Sequence, residues 1–279
     1  MNPYLLDRPA LISFSGGRTS GFMLRQILDA FGGTLPDDVI PVFANTGLED
    51  ARTYAFIDKV AGMWTDIVVL ERRRGQAGER DAFDIRSIDN CSRNGEPFTA
   101  LLDEKQFLPN PTARICTQYL KIKTMAAFGK SRGWKHWSAA IGLRADEPRR
   151  VAKVKNGEWD NDYERVLPMA DANHGLEDVT AFWSKQPFDL AFPPGNNVYG
   201  NCVGCFLKSR QRIDTIARES PSALAWWVEQ ERKQQSKKDF VSVRFRYDRP
   251  SYAAMLKAVQ EQPLLFSPEE ESLPCDCHS

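Results

Sequence analysis

Ser13-Phe14-Ser15-Gly16-Gly17-Arg18-Thr19-Ser20 is the stretch on which the fold turns. It follows the apolar run Pro9-Ala10-Leu11-Ile12, which reads as a buried strand. It precedes Phe22, Met23, Leu24, Ile27 and Leu28, whose spacing suits one helix face. A strand, a glycine-rich turn and a helix N-terminus together make an anion site. The first N–H groups of a helix have no intrahelical partner, and the helix dipole favours negative charge. Two glycines let a tetrahedral oxyanion approach the backbone, and the flanking serines add hydroxyl donors. An ordinary capped strand-to-helix turn has the same local pattern, so the rest of the chain must decide.

Working outward, the unit repeats. Residues 39–44 read as a second strand, which ends in Asn45-Thr46-Gly47-Leu48-Glu49-Asp50 before Thr53, Phe56, Ile57 and Val60 at helical spacing. Residues 67–70 read as a third strand. Residues 136–141 read as another, running into Gly142-Leu143-Arg144 and on to Arg149-Arg150. Strands alternating with helices predict an α/β fold: a doubly wound, mostly parallel, Rossmann-like sheet with ligands at the C-terminal ends of its strands. Residues 71–112 lose strand periodicity and read as a helical insertion, in which Arg72-Arg73-Arg74 is a solvated surface run. Helices are predicted over 171–183 and 213–232, and the acidic tail ends in Cys275-Asp276-Cys277-His278-Ser279.

The 279-residue chain is long enough to bury a substantial core, and its 37 Lys plus Arg balance 37 Asp plus Glu. Net charge therefore gives no argument for a nucleic-acid or membrane partner. No apolar run approaches the roughly 20 residues of a membrane span, and no signal core opens the chain, so a cytoplasmic protein with no membrane partner is expected. The six cysteines at 91, 116, 202, 205, 275 and 277 suit metal or redox chemistry in a reducing compartment better than a disulfide framework. The Cys202-Val203-Gly204-Cys205 turn brings two sulfurs to one centre, which zinc, an iron–sulfur group, dithiol chemistry or plain buried thiols would each explain. Cys116 stands among Arg114, Lys121 and Lys123, where positive charge favours a thiolate. His136 and His174 read as structural.

Together these motifs resemble the phosphoadenosine phosphosulfate (PAPS) reductase family of the adenine nucleotide α-hydrolase, or PP-loop, superfamily, in a branch often encoded by phages. Residues 15–20 resemble its S-G-G-x-D-S loop, residues 45–49 its N-T-G-x-E turn, and Gly142 to Arg149 its G-x-R loop. The resemblance implies a nucleotide-binding domain over residues 1–210, carrying the insertion, and a helical extension with a cysteine-containing tail over 211–279. It implies that Ser13, Ser15, Gly16, Gly17, Arg18, Thr19, Ser20, Asn45, Thr46, Gly47, Glu49, Lys121, Gly142, Arg144 and Arg149 hold an adenine nucleotide: PAPS, adenylyl sulfate (APS) or ATP. It further implies a four-iron four-sulfur cluster, with zinc as the alternative, on Cys116, Cys202 and Cys205. Cys275, Cys277 or Cys91 could supply the fourth ligand, or none does and one iron stays free. In the reductases a C-terminal cysteine attacks the sulfonucleotide sulfur, a role that falls here to Cys277 or Cys275, and a thioredoxin-like dithiol closes the cycle. The alternatives are an ATP-dependent sulfurtransferase acting on nucleic acid or a small molecule, and an inactive nucleotide-binding module; a homo-oligomer is compatible with each. Two positions depart from the family pattern. Thr117 stands where a fourth cysteine would be, and Thr19 stands where ATP-cleaving members have Asp.

Overall fold

Leu11 and Ile12 point to opposite faces of the same strand and serve different cores, which explains why the run reads as uniformly apolar. In the computed structural model, which describes residues 2–75, 81–157, 162–192, 197–236 and 243–261, β1 (Ala10–Ser13) is the central strand. It leads into α1 (Arg18–Ala30), which buries Phe22, Met23, Leu24, Ile27 and Leu28, the face its spacing predicts. Then come β2 (Val39–Asn45), α2 (Ala51–Met63) and β3 (Val68–Arg72). The next segment holds β4 (Phe83–Arg86), α3 (Glu96–Lys105), a π-helix (Cys116–Ile122) and α4 (Lys123–Ser131). The second half of the sheet is β5 (Trp137–Ile141), α5 (Pro148–Lys155) and β6 (Tyr163–Val166). Short helices α6 (Pro168–Asp171) and α7 (Leu176–Trp183) follow. The chain then passes through α8 (Arg210–Glu219), a 3₁₀ turn (Pro221–Leu224), α9 (Ala225–Gln235) and α10 (Tyr252–Glu261).

The strand order is β4-β3-β2-β1-β5-β6, with every pair parallel except β3–β4. Winding runs outward from β1 through β2 to β3, then restarts on the other side of β1 with β5 and β6. The order therefore reverses between β1 and β5, where a doubly wound sheet opens a crevice at its carboxyl edge. Ser13 pairs level with Ile141, so the glycine-rich loop and the Gly142-Leu143-Arg144 loop leave the sheet side by side into that crevice.

Three segments differ from the sequence reading. The insertion contains a strand, β4, whose alternating Phe83-Asp84-Ile85-Arg86 pairs antiparallel to β3 at the sheet edge, with Asp84 bound by Arg86 and Arg73. Such charges suit an exposed edge. The helix predicted over 213–232 is broken at Pro221, which has no N–H for the helix ladder and disfavours helical backbone at Ser220. The helix predicted over 171–183 divides at Asn173, in left-handed backbone, and restarts at Gly175, whose N–H donates to Asp178. One hydrophobic cluster runs from Ile12 and Phe56 through Phe98 to Trp227, Tyr252 and Val259, so the C-terminal helices share the core of the sheet. No helix among the described residues is long and apolar enough to cross a membrane.

Candidate functional site

The glycine-rich loop is held by its own last serine. Ser20 Oγ accepts from Ser15 N at 3.1 Å, lies 3.0 Å from Ser15 Oγ and donates to Gly17 O at 3.0 Å. Gly16 has φ +72°, and a Cβ there would stand 2.7 Å from Thr53 Cγ2 and 3.0 Å from Ile57 Cδ1, so both backbone and space demand glycine. The loop floors a cavity of about 420 Å³, into which residues 15–20 and Arg144 project from the two sides of the switch point. Its far wall comes from α7 and the segment beyond. Arg18 pairs with Asp189 at 2.7 Å and donates to Leu190 O, while Trp183 Nε1 donates to Arg18 O at 2.8 Å. The Arg18 guanidinium is thus latched to the wall.

The turn after β2 is a buried polar knot. Asn45 Nδ2 donates to Glu71 Oε1 at 2.6 Å and to Ser92 O, and its Oδ1 accepts from Gly47 N and Tyr54 OH. Glu49 accepts from Thr46 Oγ1 at 2.8 Å, Leu48 N and Tyr54 OH. On this knot sits the C-x-x-C turn. Glu49 and Cys202 form a β-bridge, Val203 N donates to Leu48 O at 2.8 Å, and Cys202 Sγ lies 3.2 Å from Thr46 Oγ1.

Cys116 reaches the same place from the π-helix. In an α-helix, residues five apart lie about 140° round the axis. In a helix with i→i+5 bonds they fall near one face. Cys116 and Lys121 are five apart, and Lys121 and Cys205 each act on both Cys116 and Cys202. Burial pushes the Cys116 thiol up to about 12, with Cys205 adding to the shift and Lys121 and hydrogen bonds from Thr117 opposing it. Burial likewise raises Cys202, helped by the Glu49 carboxylate and opposed by Lys121. Lys208 shows the converse: burial presses it down to about 8, against the pull of Cys205 and Cys202.

The backbone of the cysteine turn is tied on every side. Lys208 Nζ donates to Gly200 O at 2.6 Å and Cys202 O at 2.9 Å. Tyr252 OH donates to Gly204 O at 2.6 Å, and Arg249 donates to Lys208 O and Phe206 O. Gly204 lies against Trp227, where a Cβ would stand 2.2 Å from the indole. Glu231, at the heart of this C-terminal brace, accepts from Tyr252 N at 2.8 Å and Phe245 N.

Of the residues singled out from sequence, Ser15 to Ser20 and Arg144 line one cavity, and Gly142 packs beneath it against Ser20. Ser13 instead lines a small cavity of about 30 Å³ with Leu11, Trp137 and Ile141. Asn45, Thr46 and Glu49 are turned inward under the cysteine turn, and Arg149 is exposed on α5, outside the described lining of the cavity. Lys121, Cys116, Cys202 and Cys205 come together, whereas Cys91 is buried separately, its thiol donating to Ile88 O. Cys275 and Cys277 lie outside the described residues. Among the described residues, no group of three or more His, Cys, Asp and Glu side chains is set to hold a single metal ion. Sequence reasoning missed Lys208, Arg249 and Tyr252. The only local signal was a lysine three residues after Cys205, because the brace closes from the far end of the chain.

No family model matches the chain. The nin region protein ORF290 of Escherichia phage lambda, itself uncharacterised, is 31% identical over 217 residues, which span 75% of this chain and 69% of the phage protein. Among solved structures, a PAPS reductase from Candida auris in complex with phosphate aligns at 15% identity with a TM-score of 0.40, covering 66% of this chain and 79% of the reductase. The U34-tRNA thiolase NcsA of Methanococcus maripaludis with its [4Fe-4S] cluster aligns at 14% identity with a TM-score of 0.39, covering 84% and 77%.

Proposed function

The chain belongs to the family of the phage lambda nin region protein ORF290, and we propose that it is a PAPS reductase-like enzyme that binds an adenylyl nucleotide and performs sulfur chemistry beside it. The observation that carries this reading is a juxtaposition. The loop after β1 floors an anion-accepting cavity, and the cysteine turn is pinned to the end of the neighbouring strand β2, with Cys202 Sγ 3.2 Å from Thr46. Neighbouring strands are only about 4.8 Å apart. The S-G-G-x-x-S, N-T-G-x-E and G-x-R motifs fall on three consecutive crevice-side strand ends, as in the family the sequence resembles.

The reaction supported best is sulfonucleotide reduction. The sulfate end of the nucleotide lies on the loop, and Arg144, on the opposite lip with its Nε paired to Asp146 at 2.7 Å, offers its remaining N–H donors to the departing phosphate. The thiolate of Cys277 or Cys275 attacks the sulfate sulfur and the S–O bond to the nucleotide breaks. The nucleotide leaves with that electron pair, and the cysteine becomes an S-sulfocysteine. A thioredoxin-like dithiol then attacks the cysteine sulfur, releases sulfite and is oxidised to a disulfide.

The surroundings of Cys116, Cys202 and Cys205 fit an anionic iron–sulfur group better than a small ion. Lys121 and Lys208 are both buried, and burial lowers the pKa of Lys208, a cost that negative sulfur beside it would relieve. These three cysteines would hold the group, with Cys275 as the fourth candidate. When bound, such a group supplies electrons or, on three thiolates alone, an open iron able to carry sulfur. Thr117, which hydrogen-bonds Cys116 instead of offering a fourth sulfur, favours ATP-dependent sulfur transfer as the second reading.

Anaerobic purification with an absorption spectrum and iron and sulfide assay tests the cluster, with Cys116→Ser and Cys202→Ser expected to lose the visible band. A colourless, iron-free wild type overturns it. Incubation with APS, PAPS and ATP separates the reactions. Sulfite appearing with the adenine nucleotide supports reduction, pyrophosphate from ATP without sulfite moves the assignment to sulfur transfer, and binding with no product leaves a nucleotide-binding module.

A further inference from the structure

The arginine run at the end of β3, which the sequence reads as surface, closes a second charged cavity. Arg72, the last residue of β3, is 7% exposed. Its Nη2 donates to Glu104 Oε2 at 2.5 Å, whereas Nε and Nη1 have no hydrogen-bond partner among the described residues. Leaving two donors of a buried guanidinium unmatched is costly, and an acceptor brought from outside offsets that cost.

The cavity measures about 450 Å³, and Arg74, Lys105, Lys123, Glu104 and Tyr119 join Arg72 in lining it. Three of its cations gather on one aromatic ring: Lys105 Nζ is 4.0 Å, Lys123 Nζ 4.5 Å and Arg72 Cζ 5.7 Å from the Tyr119 centroid. The ring attracts each cation but neutralises none. Carboxylates make up only part of the difference. Glu104 is shared between Arg72 and Lys105, at 2.5 and 2.9 Å, and Asp81 stands 3.9 Å from Lys123. Arg74 is exposed at the mouth. Among the described residues, four cationic side chains thus face two acidic ones around a cavity whose volume is in the range, roughly 300–1,000 Å³, of small-ligand sites.

We infer that this cavity is a second anion site, which takes the phosphate group of a phosphorylated ligand. A phosphate offers several acceptor oxygens and up to two negative charges, matching a guanidinium and two ammoniums, and the remaining volume accommodates the group that bears it. Because Tyr119 and Cys116 lie on the same π-helix, a ligand anchored here rests against the element that carries the first cysteine. With three cations within about 6 Å of the Tyr119 centroid, the site is built to recognise charge. The inference stands apart from the nucleotide reading, since none of these residues lines the cavity of the glycine-rich loop.

Fluorine NMR of the full chain labelled with 3-fluorotyrosine, the Tyr119 signal assigned with Tyr119→Phe, reads this site alone. Inorganic phosphate is expected to shift that signal saturably, against chloride at equal ionic strength, and Lys105→Ala/Lys123→Ala is expected to weaken binding about tenfold or more. Both lysines are partly exposed, so the double variant keeps the fold where an Arg72 change could lose it. Gly17→Ala leaves the Tyr119 response as it is. No saturable shift by about 50 mM phosphate, or equal affinity in the double variant, overturns the inference. Ribose 5-phosphate and a short oligoribonucleotide then distinguish the source. Tighter binding of the former assigns a small phosphorylated ligand, and tighter, salt-sensitive binding of the latter assigns a nucleic-acid backbone.

Discussion

The glycine-rich loop and the cysteine turn sit on adjacent strand ends and are constructed in opposite ways. The loop is open. Its shape is fixed by one internal side chain, Ser20, and its outer face borders a cavity of about 420 Å³. The cysteine turn is closed. Carbonyls of Gly200, Cys202, Gly204, Phe206 and Lys208 are each taken by a buried Lys208, Tyr252 or Arg249 side chain, and Trp227 fills the space over Gly204. A site that exchanges its ligand on every turnover needs access and a preformed cradle. Under the proposed function the cysteine turn would retain a group, which needs rigid backbone and compensating buried charge, and Lys121 and Lys208 are both buried there.

The largest effect that sharpens this contrast is chemical. In metal-free protein the Cys116 thiol, pushed up to about 12, should react with iodoacetamide at neutral pH about a thousandfold more slowly than an open thiol, because the thiolate is the nucleophile. Mass spectrometry of alkylated peptides measures this, and alkylation at the rate of the unfolded chain breaks the contrast. The same shift sets a pH dependence. A thiol raised on folding contributes stability that is complete below its unfolded value near 9 and is lost as pH rises towards about 12, so Cys116→Ser should flatten the fall of Tm in that window.

Next in size come the two glycines. Gly204→Ala drives a methyl to within 2.2 Å of Trp227, itself buried, and should cost about 3 kcal/mol in urea unfolding. Gly17→Ala, whose Cβ meets only Ser15 Oγ at 3.7 Å, should leave stability within about 1 kcal/mol. Its added methyl borders the cavity instead, and should lower adenine-nucleotide affinity about tenfold by calorimetry. The reverse pattern, a stability loss at Gly17 and none at Gly204, overturns the distinction between open and closed sites. The smallest effect belongs to Arg18→Ala. Its partly exposed pair with Asp189 should contribute less than about 1 kcal/mol. A loss of nucleotide affinity beyond tenfold with stability unchanged would instead put the guanidinium on the ligand.

Much of this was legible residue by residue. Residues 9–12, 39–44 and 136–141 read as strands because each is a largely apolar run, within a residue of the observed Ala10–Ser13, Val39–Asn45 and Trp137–Ile141, and α1 showed the helical spacing that it buries. Gly16 signalled its turn because left-handed backbone against Thr53 admits no other residue. What escaped was whatever depends on distant partners. Phe83-Asp84-Ile85-Arg86 becomes a strand only because the β3 edge is free to receive it. The π-helix has no distinct periodicity over seven residues, and its purpose appears only once Cys116 and Lys121 are seen to face the same turn.

The sequence by itself determined the alternation of strands and helices, the glycine-rich loop at the first strand end and the presence of a C-x-x-C turn. These are local: hydrophobic period, backbone freedom and short spacing are written within a dozen residues. Only the tertiary structure decided that Asn45 and Glu49 turn inward beneath that turn, that Lys208 and Arg249 brace it, and that Arg72 is buried beside a charged cavity. Each depends on the desolvation of a polar group by chain that is far away in sequence, and burial is a property no local pattern contains.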